Sequence, residues 1–388
     1  MVHFEVISTD KSCRARRGIL TTAHGRVHTP AFMPVGTAGA IKGITPEQLV
    51  KTGAEIILSN TYHLMLRPGV DVVAKLGGLH GLMGWDGPIL TDSGGYQIFS
   101  LSSLTKVNDD GVEFASHVDG ARIYLDPEIA TQIQNRLGAD IIMCFDQCAH
   151  FPAEPLELRR AVERTISWAG RSKNAHGNSP LGDALRHRQL LFGIIQGGID
   201  VELRTYCARE ILKLDLDGYA IGGLSVGEGH QDMIKTVANT TGLLPEHLPR
   251  YLMGVGTPAD IIAAVGQGVD MFDCVLPTRN GRNGFAFTEN GPVRLKNNAH
   301  ISSTEPVETD CDCYCCTNFS RGAIRHFFNC GEMLGPILLS IHNLRFYQRL
   351  MMGIRKSLER GDFASWAAHQ IVKYRSGPDI GQTEADSQ

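Results

Sequence analysis

Eight short apolar runs, each closed by Gly, Asn, Asp, Ser or Thr, recur along the first three quarters of this chain. They are AFMPVGT from 31, EIILSNT from 55, PILTDSGG from 88, DIIMCFD from 140, FGIIQGG from 192, GYAIGGLS from 218, YLMGVGT from 251 and MFDCVLPT from 271. The runs are continuously apolar rather than alternating, which is the pattern of strands buried on both faces of a parallel sheet. Helix-like segments separate them, at 45–53, 126–138, 155–173, 201–215, 230–242 and 258–268. Several open on Pro or Asp and stop at Gly, the start and stop signals of helices. Eight strand-then-helix units over residues 30 to 290 predict an α/β protein built on a (β/α)8 barrel. A doubly wound open sheet is the alternative. The first unit lacks G-x-G-x-x-G, however, and polar ends occur on all eight runs rather than at one switch point.

The remaining segments fall around that barrel. Residues 1–30, HFEVIS then GRVHTP, read as a strand pair closing the barrel bottom. The stretch 174–188, NAHGNSPLGDALRHR, reads as a surface loop. After residue 290 the texture changes to a cysteine cluster and helical segments at 319–333, 335–352 and 362–374. We therefore expect a barrel with its catalytic site over 1–295, a metal-binding subdomain over 296–350, and a C-terminal helical segment over 351–388 packing on the barrel. The first 18 residues contain no apolar core of a secretory signal, and no apolar run approaches the 18 residues of a membrane span, so a cytoplasmic protein is expected.

In such barrels the side chains at the C-terminal strand ends face the active site. Those ends carry Asn60, Asp92, Asp146, Gln196, Gly222, Gly223, Met253 and Asp273. A lone carboxylate at a strand end is often the N-cap of the next helix. Three on separate strands, with an amide and bare glycines between them, point to a site. Asp273 lies inside MFDCVLP, where an unpaired charge would cost several kcal/mol. One such carboxylate can be a nucleophile and a second a general acid and base, the logic of retaining glycosyl transfer. The glycine excess, 43 of 388 residues, puts bare backbone beside these positions in TDSGGY, IIQGG and AIGGLS.

Cys311-Asp-Cys313-Tyr-Cys315-Cys316 supplies C-x-C-x2-C, three thiolates for one ion. Tetrahedral zinc needs a fourth ligand, for which Cys315, His326 and His342 are the candidates. No vacant position and no catalytic motif accompany the cluster, so it reads as structural. The other cysteines are scattered and read as reduced thiols. Charge adds one more signal. The chain has a formal net charge of −4, which argues against a surface basic throughout. Residues 277–360 nevertheless hold eleven Lys and Arg against seven Asp and Glu, or +4, leaving −8 for the rest. A solvated helix face is the usual meaning of such a run. Here it abuts Asp273 through PTRNGRNG, whose Arg279 and Arg282 could hold phosphates.

The stretches TPAFMPVGT, LSNTYHLMLRPG, GWDGPILTDSGGYQ, LFGIIQGG, GYAIGGLSVGE, YLMGVG and MFDCVLPTRNGRNG, with the C-x-C-x2-C and a later His, resemble the bacterial tRNA-guanine transglycosylases (queuine tRNA-ribosyltransferases) over nearly the whole chain. The resemblance implies exchange of the wobble guanine in tRNAs with GUN anticodons, those for aspartate, asparagine, histidine and tyrosine, for a 7-deazaguanine. It implies Asp273 as nucleophile at C1′ and Asp92 as general acid and base. Asp146, Gln196 and the Gly223 backbone would bind the base edge, and the Leu224 carbonyl would read its 7-substituent. Tyr96 and Met253 would sandwich the ring. Ser93 and Asn60 would support the site, and Glu228 would orient the Gly223–Leu224 peptide. Zinc would sit on Cys311, Cys313, Cys316 and His342, Arg279 and Arg282 would touch the anticodon loop, and the chain would be a homodimer. Val226 and Cys148 match bacterial members and favour 7-aminomethyl-7-deazaguanine over queuine. Two other readings remain: a non-catalytic RNA-binding subunit, which would have lost the carboxylates, and a barrel hydrolase, which would not need the zinc cluster or the arginine loop.

Overall fold

The computed structural model describes residues 3–101, 105–179, 181 and 189–375. The chain enters through an antiparallel sheet of β1 (Phe4–Thr9), β2 (Arg16–Thr22) and β3 (Gly25–Thr29). Then come β4 (Ala31–Met33) and β5 (Val35–Gly36), separated only by Pro34, which has no N–H to donate to a ladder. The strands β6 (Ile57–Ser59) and β7 (Ile89–Thr91) follow, and an inserted antiparallel sheet of β8 (Lys106–Val107), β9 (Val112–Ala115) and β10 (Arg122–Leu125). The barrel resumes with β11 (Ile141–Met143), β12 (Leu190–Ile195), β13 (Gly218–Ile221), β14 (Arg250–Leu252) and β15 (Met271–Asp273).

The main sheet runs β4-β15-β14-β13-β12-β11-β7-β6-β5, parallel throughout. Its two outer members, β4 and β5, are the halves of one proline-broken strand. The sheet therefore closes on itself with eight staves, the expected (β/α)8 barrel. All eight apolar runs supply a stave, and every residue of β4, β6, β7, β11, β12, β13 and β14 is buried. One set of side chains, including Met33, Leu58, Leu90, Met143, Phe192, Ala220 and Met271, packs inside the barrel. The opposite set meets the helices.

The helices start and stop where the sequence signals lie. Thr45 and Gln48 form a reciprocal capping box on Pro46–Thr52, as Thr257 and Asp260 do on Pro258–Gly266. Asp126 caps Pro127–Leu137 by accepting from Ile129 N. The helix expected at 155–173 runs on, as Pro155–Gly177. The first residues of the expected 174–188 loop are thus helical, and most of its remainder lies outside the described residues.

The lower end is stopped by the N-terminal sheet, three strands rather than the expected pair. Phe4, Leu20 and Val27 enter the barrel interior cluster. Arg16 forks onto Asp270 with Nε and Nη2 at 2.9 and 2.5 Å, both groups buried, tying β2 to the segment before β15. Beyond the barrel come the hairpin β16 (Phe285–Ala286) and β17 (Val293–Arg294), short helices Tyr314–Asn318 and Arg321–Asn329, and the long helix Leu334–Arg360 before Phe363–Arg375. The expected boundary between 350 and 351 falls inside that unbroken 27-residue helix.

Asn343 of the long helix is fully buried. It donates to Pro277 O and Phe285 O, both at 2.9 Å, and accepts from Phe287 N at 2.9 Å. These bonds seat the Leu276–Arg282 helix, which follows Asp273 directly, on the long helix.

Candidate active site and metal centre

The polar strand ends meet over the upper mouth of the barrel, around a cavity of about 410 Å³. Asp92, Asp146, Gln196, Gly223, Met253 and Asp273 all line it, although they are far apart in sequence. So do Asn60, Ser93, Tyr96, Cys148, Leu224 and Val226. The three carboxylates line this one cavity, and each has a different environment.

Asp92 follows β7 and is buried. It accepts from Asn60 Nδ2 at 2.6 Å, Gln97 Nε2 at 2.8 Å and Thr61 N at 2.8 Å. Burial outweighs these donors and, with the Asp273 charge adding to it, pushes Asp92 up to about 6. A carboxyl poised there can give and take a proton near neutral pH. Asp273, the last residue of β15, receives Tyr251 OH at 2.6 Å and Gly254 N at 2.7 Å, both on Oδ1. The residue also lines the pocket. Burial raises its pKa too, opposed by those two donors, and burial beside it holds the Tyr251 phenol protonated.

Asp146 is organised for binding. Ser93 Oγ donates to Oδ1 at 2.8 Å and Gln196 Nε2 to Oδ2 at 2.7 Å, so acid and amide present one connected edge. Glycine is required beside it at two places. A Cβ on Gly95 would lie 2.6 Å from Asp146 O, and one on Gly223 would lie 2.3 Å from Gln196 Oε1, where φ is also +64°. Tyr96 is half exposed on the rim, and Met253 lines the same cavity.

Glu228 departs from expectation. Its carboxylate accepts from Ser225 N and from Val226 N, the latter at 2.9 Å, and not from the Gly223–Leu224 peptide. The group it fixes is one peptide further on, the Leu224–Ser225 unit that carries the Leu224 carbonyl. Ser225, whose N–H meets that carboxylate, adopts a left-handed φ of +60°.

Four contributors were not read from the sequence. Gln97 sits in TDSGGYQ, five residues past Asp92 on the helix that opens at Gly95. Tyr251 is on β14, two before Met253, which follows that strand directly, so the period of two could have found it. Thr61 reaches Asp92 through its backbone N–H, for which no side-chain signal exists. Arg204 is a buried guanidinium donating to Gly198 O, Ile195 O and Gly222 O, which braces the ends of β12 and β13. In VELRTYCAREIL it reads as a solvated charge.

The cysteine cluster lies apart from the pocket. Cys311, Cys313, Cys316 and His342 place one ligand atom each within 4.8 Å of one another. His342 Nδ1 is 3.7, 3.7 and 3.3 Å from the three sulfurs. Its Nε2 lies 2.8 Å from Phe287 O, so that nitrogen carries the proton and Nδ1 is free to ligate. Of the other candidates, His326 lies with Cys330 instead. Cys315 is buried beside the group without joining its four convergent atoms. The three thiols and one imidazole fit a tetrahedral metal site with no position left for a substrate.

Arg279 and Arg282 are on the last turn of Leu276–Arg282 and are not part of the pocket lining. Neither side chain makes a hydrogen bond or ion pair among the described residues. Among those residues, too, no helix is long and apolar enough to cross a membrane.

Fold and site together define a (β/α)8-barrel enzyme with an acidic pocket at its upper mouth and a Cys3His cluster on its C-terminal appendage. The family model described as queuine tRNA-ribosyltransferase matches residues 10–376. A queuine tRNA-ribosyltransferase from Francisella tularensis subsp. novicida is 48% identical over 375 residues, 97% of this chain and all of the relative. One from Methylobacillus flagellatus is 48% identical over 384 residues, 99% of this chain and again all of the relative. The chain belongs to the queuine tRNA-ribosyltransferase family and is a pentosyltransferase of the tRNA-guanine transglycosylase class.

Proposed function

We propose that the chain exchanges guanine at the wobble position of GUN-anticodon tRNAs for 7-aminomethyl-7-deazaguanine, through a covalent aspartyl-tRNA intermediate. The carrying observation is that two carboxyls with different surroundings share one pocket: Asp92, pushed up to about 6 by burial, and Asp273, with Oδ1 held by the Tyr251 hydroxyl and the Gly254 N–H. Asp273 Oδ2 attacks C1′ of the ribose as the bond to guanine breaks, and Asp92 gives its proton to the departing base. The incoming base then loses its ring N–H proton to Asp92 and attacks C1′, releasing Asp273. The glycosidic bond energy is kept in the ester, so no nucleotide triphosphate is consumed.

The base must leave the anticodon stack to reach this depth, which a single-stranded loop permits. Asp146, Gln196 and the Gly223 backbone then bind its donor and acceptor edge, while Tyr96 and Met253 close on its faces. The Leu224 carbonyl, oriented through Glu228, reads the aminomethyl group. Val226 and Cys148 take up room in the pocket that the larger queuine would need. Arg279 and Arg282 hold the anticodon loop backbone. The Cys3His cluster holds a structural zinc ion, and the enzyme works as a homodimer in the cytoplasm.

Radiolabelled guanine exchange into undermodified tRNA tests this. Asp273→Ala should bind tRNA yet exchange nothing, and no denaturation-resistant tRNA adduct should form. An adduct trapped on that variant would sink the nucleophile assignment. Release of base without reincorporation by the unaltered enzyme would make it a hydrolase.

A further inference from the structure

A second group of ligand-type side chains lies at the opposite end of the barrel from the acidic pocket. His24 is in the turn between β2 and β3, His80 is on the short helix Gly78–Met83, and Asp140 immediately precedes β11. One ligand atom from each lies within 4.8 Å of the other two. Asp140 Oδ1 is 2.8 Å from His24 Nδ1, and its Oδ2 is 3.3 Å from His80 Nε2. The Gly87 carbonyl oxygen lies 3.1 Å from that same His80 nitrogen.

Three features go beyond an ordinary ion pair. The two imidazoles stack at 3.7 Å between centroids, so two imidazolium charges would repel across that gap with a single carboxylate to offset them. His80 Nε2 faces two oxygens, of which one N–H can serve only one well. Asp140 is fully buried and oriented from behind by Ile89 N at 2.9 Å and His24 N at 3.1 Å, the kind of backing that fixes a ligating carboxylate. Two imidazole nitrogens, a carboxylate and a carbonyl suit borderline divalent ions. Metal–ligand distances of about 2.0–2.2 Å in a tetrahedron put ligand atoms about 3.4 Å apart; His80 Nε2 and Asp140 Oδ2, at 3.3 Å, match this, while His24 Nδ1 and Asp140 Oδ1, at 2.8 Å, lie closer.

We propose that His24, His80 and Asp140 form a second metal site, for a divalent ion of the zinc, cobalt or nickel kind. Its role is to clip the sheet that stops the barrel's lower end to two elements of the barrel wall. His24 is partly exposed, which gives the ion a way in.

Cobalt loading of the chelator-stripped full chain tests the site separately from the Cys3His cluster, because only the latter produces a thiolate-to-cobalt absorption band. The unaltered protein should take up an equivalent of cobalt that adds visible absorption without that band, and its thermal midpoint should rise with it. His24→Ala, a change in an exposed turn, and His80→Ala should both lose this equivalent and keep the thiolate-bound one. Cys316→Ala should do the reverse. The proposal is overturned if all bound cobalt carries the thiolate band, or if thiolate-free uptake persists in both histidine variants.

Discussion

Asp92 and Asp273 have the same side chain, and their neighbours give them different environments. Asp92 keeps a pKa of about 6 because burial outweighs three donors, so the folded protein binds this proton more tightly than the unfolded chain does. The stabilisation linked to that proton is complete below the unfolded carboxyl value of about 3.9 and is lost as pH rises through about 6. Holding the charged form at neutral pH thus costs on the order of 3 kcal/mol. Asp92→Asn is expected to gain up to that amount at pH 8, with the advantage shrinking below pH 6 in urea titrations, while exchange falls roughly 10²- to 10⁴-fold. A variant no more stable at pH 8 than at pH 5, relative to the parent, would contradict this. Tyr251→Phe removes one of two donors to Asp273 Oδ1 and leaves the ring packing intact. A hydrogen bond to a charged group is worth about 1.5–3 kcal/mol, so exchange should drop roughly 10- to 100-fold. The acid limb of the pH–rate profile should also move to higher pH, which a purely structural effect would not produce.

Elements show what was legible beforehand and what was not. The eight staves could be read because each is buried on both faces, leaving continuous apolar runs. The inserted sheet β8–β10 escaped because it is half-exposed: β9 alternates buried with intermediate residues, and β10 exposes Arg122 and Tyr124. The sequence predicts a helix that stops at 352, ahead of Gly353, whereas the long helix runs on to Arg360. Gly353 is there for packing, since a Cβ would lie 3.2 Å from the Trp366 ring. Of the candidate site, residues at strand ends could be found by position. The peptide that Glu228 holds could not, because backbone contacts leave no residue-type signal. A tight contact of the same kind seats the arginine helix, where a Cβ on Gly281 would lie 2.8 Å from Ser340 N on the long helix. Gly281→Ala must push two helices apart and should cost about 1–3 kcal/mol. We expect weaker tRNA binding with unchanged metal content, measured by filter binding and metal analysis. For the cluster itself, Cys316→Ala should deplete the metal and lower the unfolding midpoint, whereas full metal occupancy would transfer the ligand role to Cys315.

At the scale of the whole molecule, the structure divides the +4 of residues 277–360. Arg345 pairs with Asp312, Arg349 with Glu289 and Glu308, and Arg360 with Asp362. Arg321, Arg325 and Arg355 spend donors on backbone carbonyls, while Lys296 and Arg294 lie over Phe328 and Phe285. Most of the local excess therefore holds the appendage together. Arg279 and Arg282, like Lys356, are unpaired among the described residues, and of these three only the two arginines follow Asp273 within nine positions. Phosphate contacts release counterions, so each lost contact lowers the salt dependence of binding by about 0.7 for single-stranded RNA. Replacing both arginines with alanine should reduce the slope of log affinity against log salt by roughly 1 to 2, with the unfolding midpoint unchanged. Arg345→Ala should behave in the opposite way, lowering the midpoint and leaving the slope alone. Equal slopes for the parent and the double-arginine variant would remove these two residues from the RNA interface and return the docking surface to the rest of the segment.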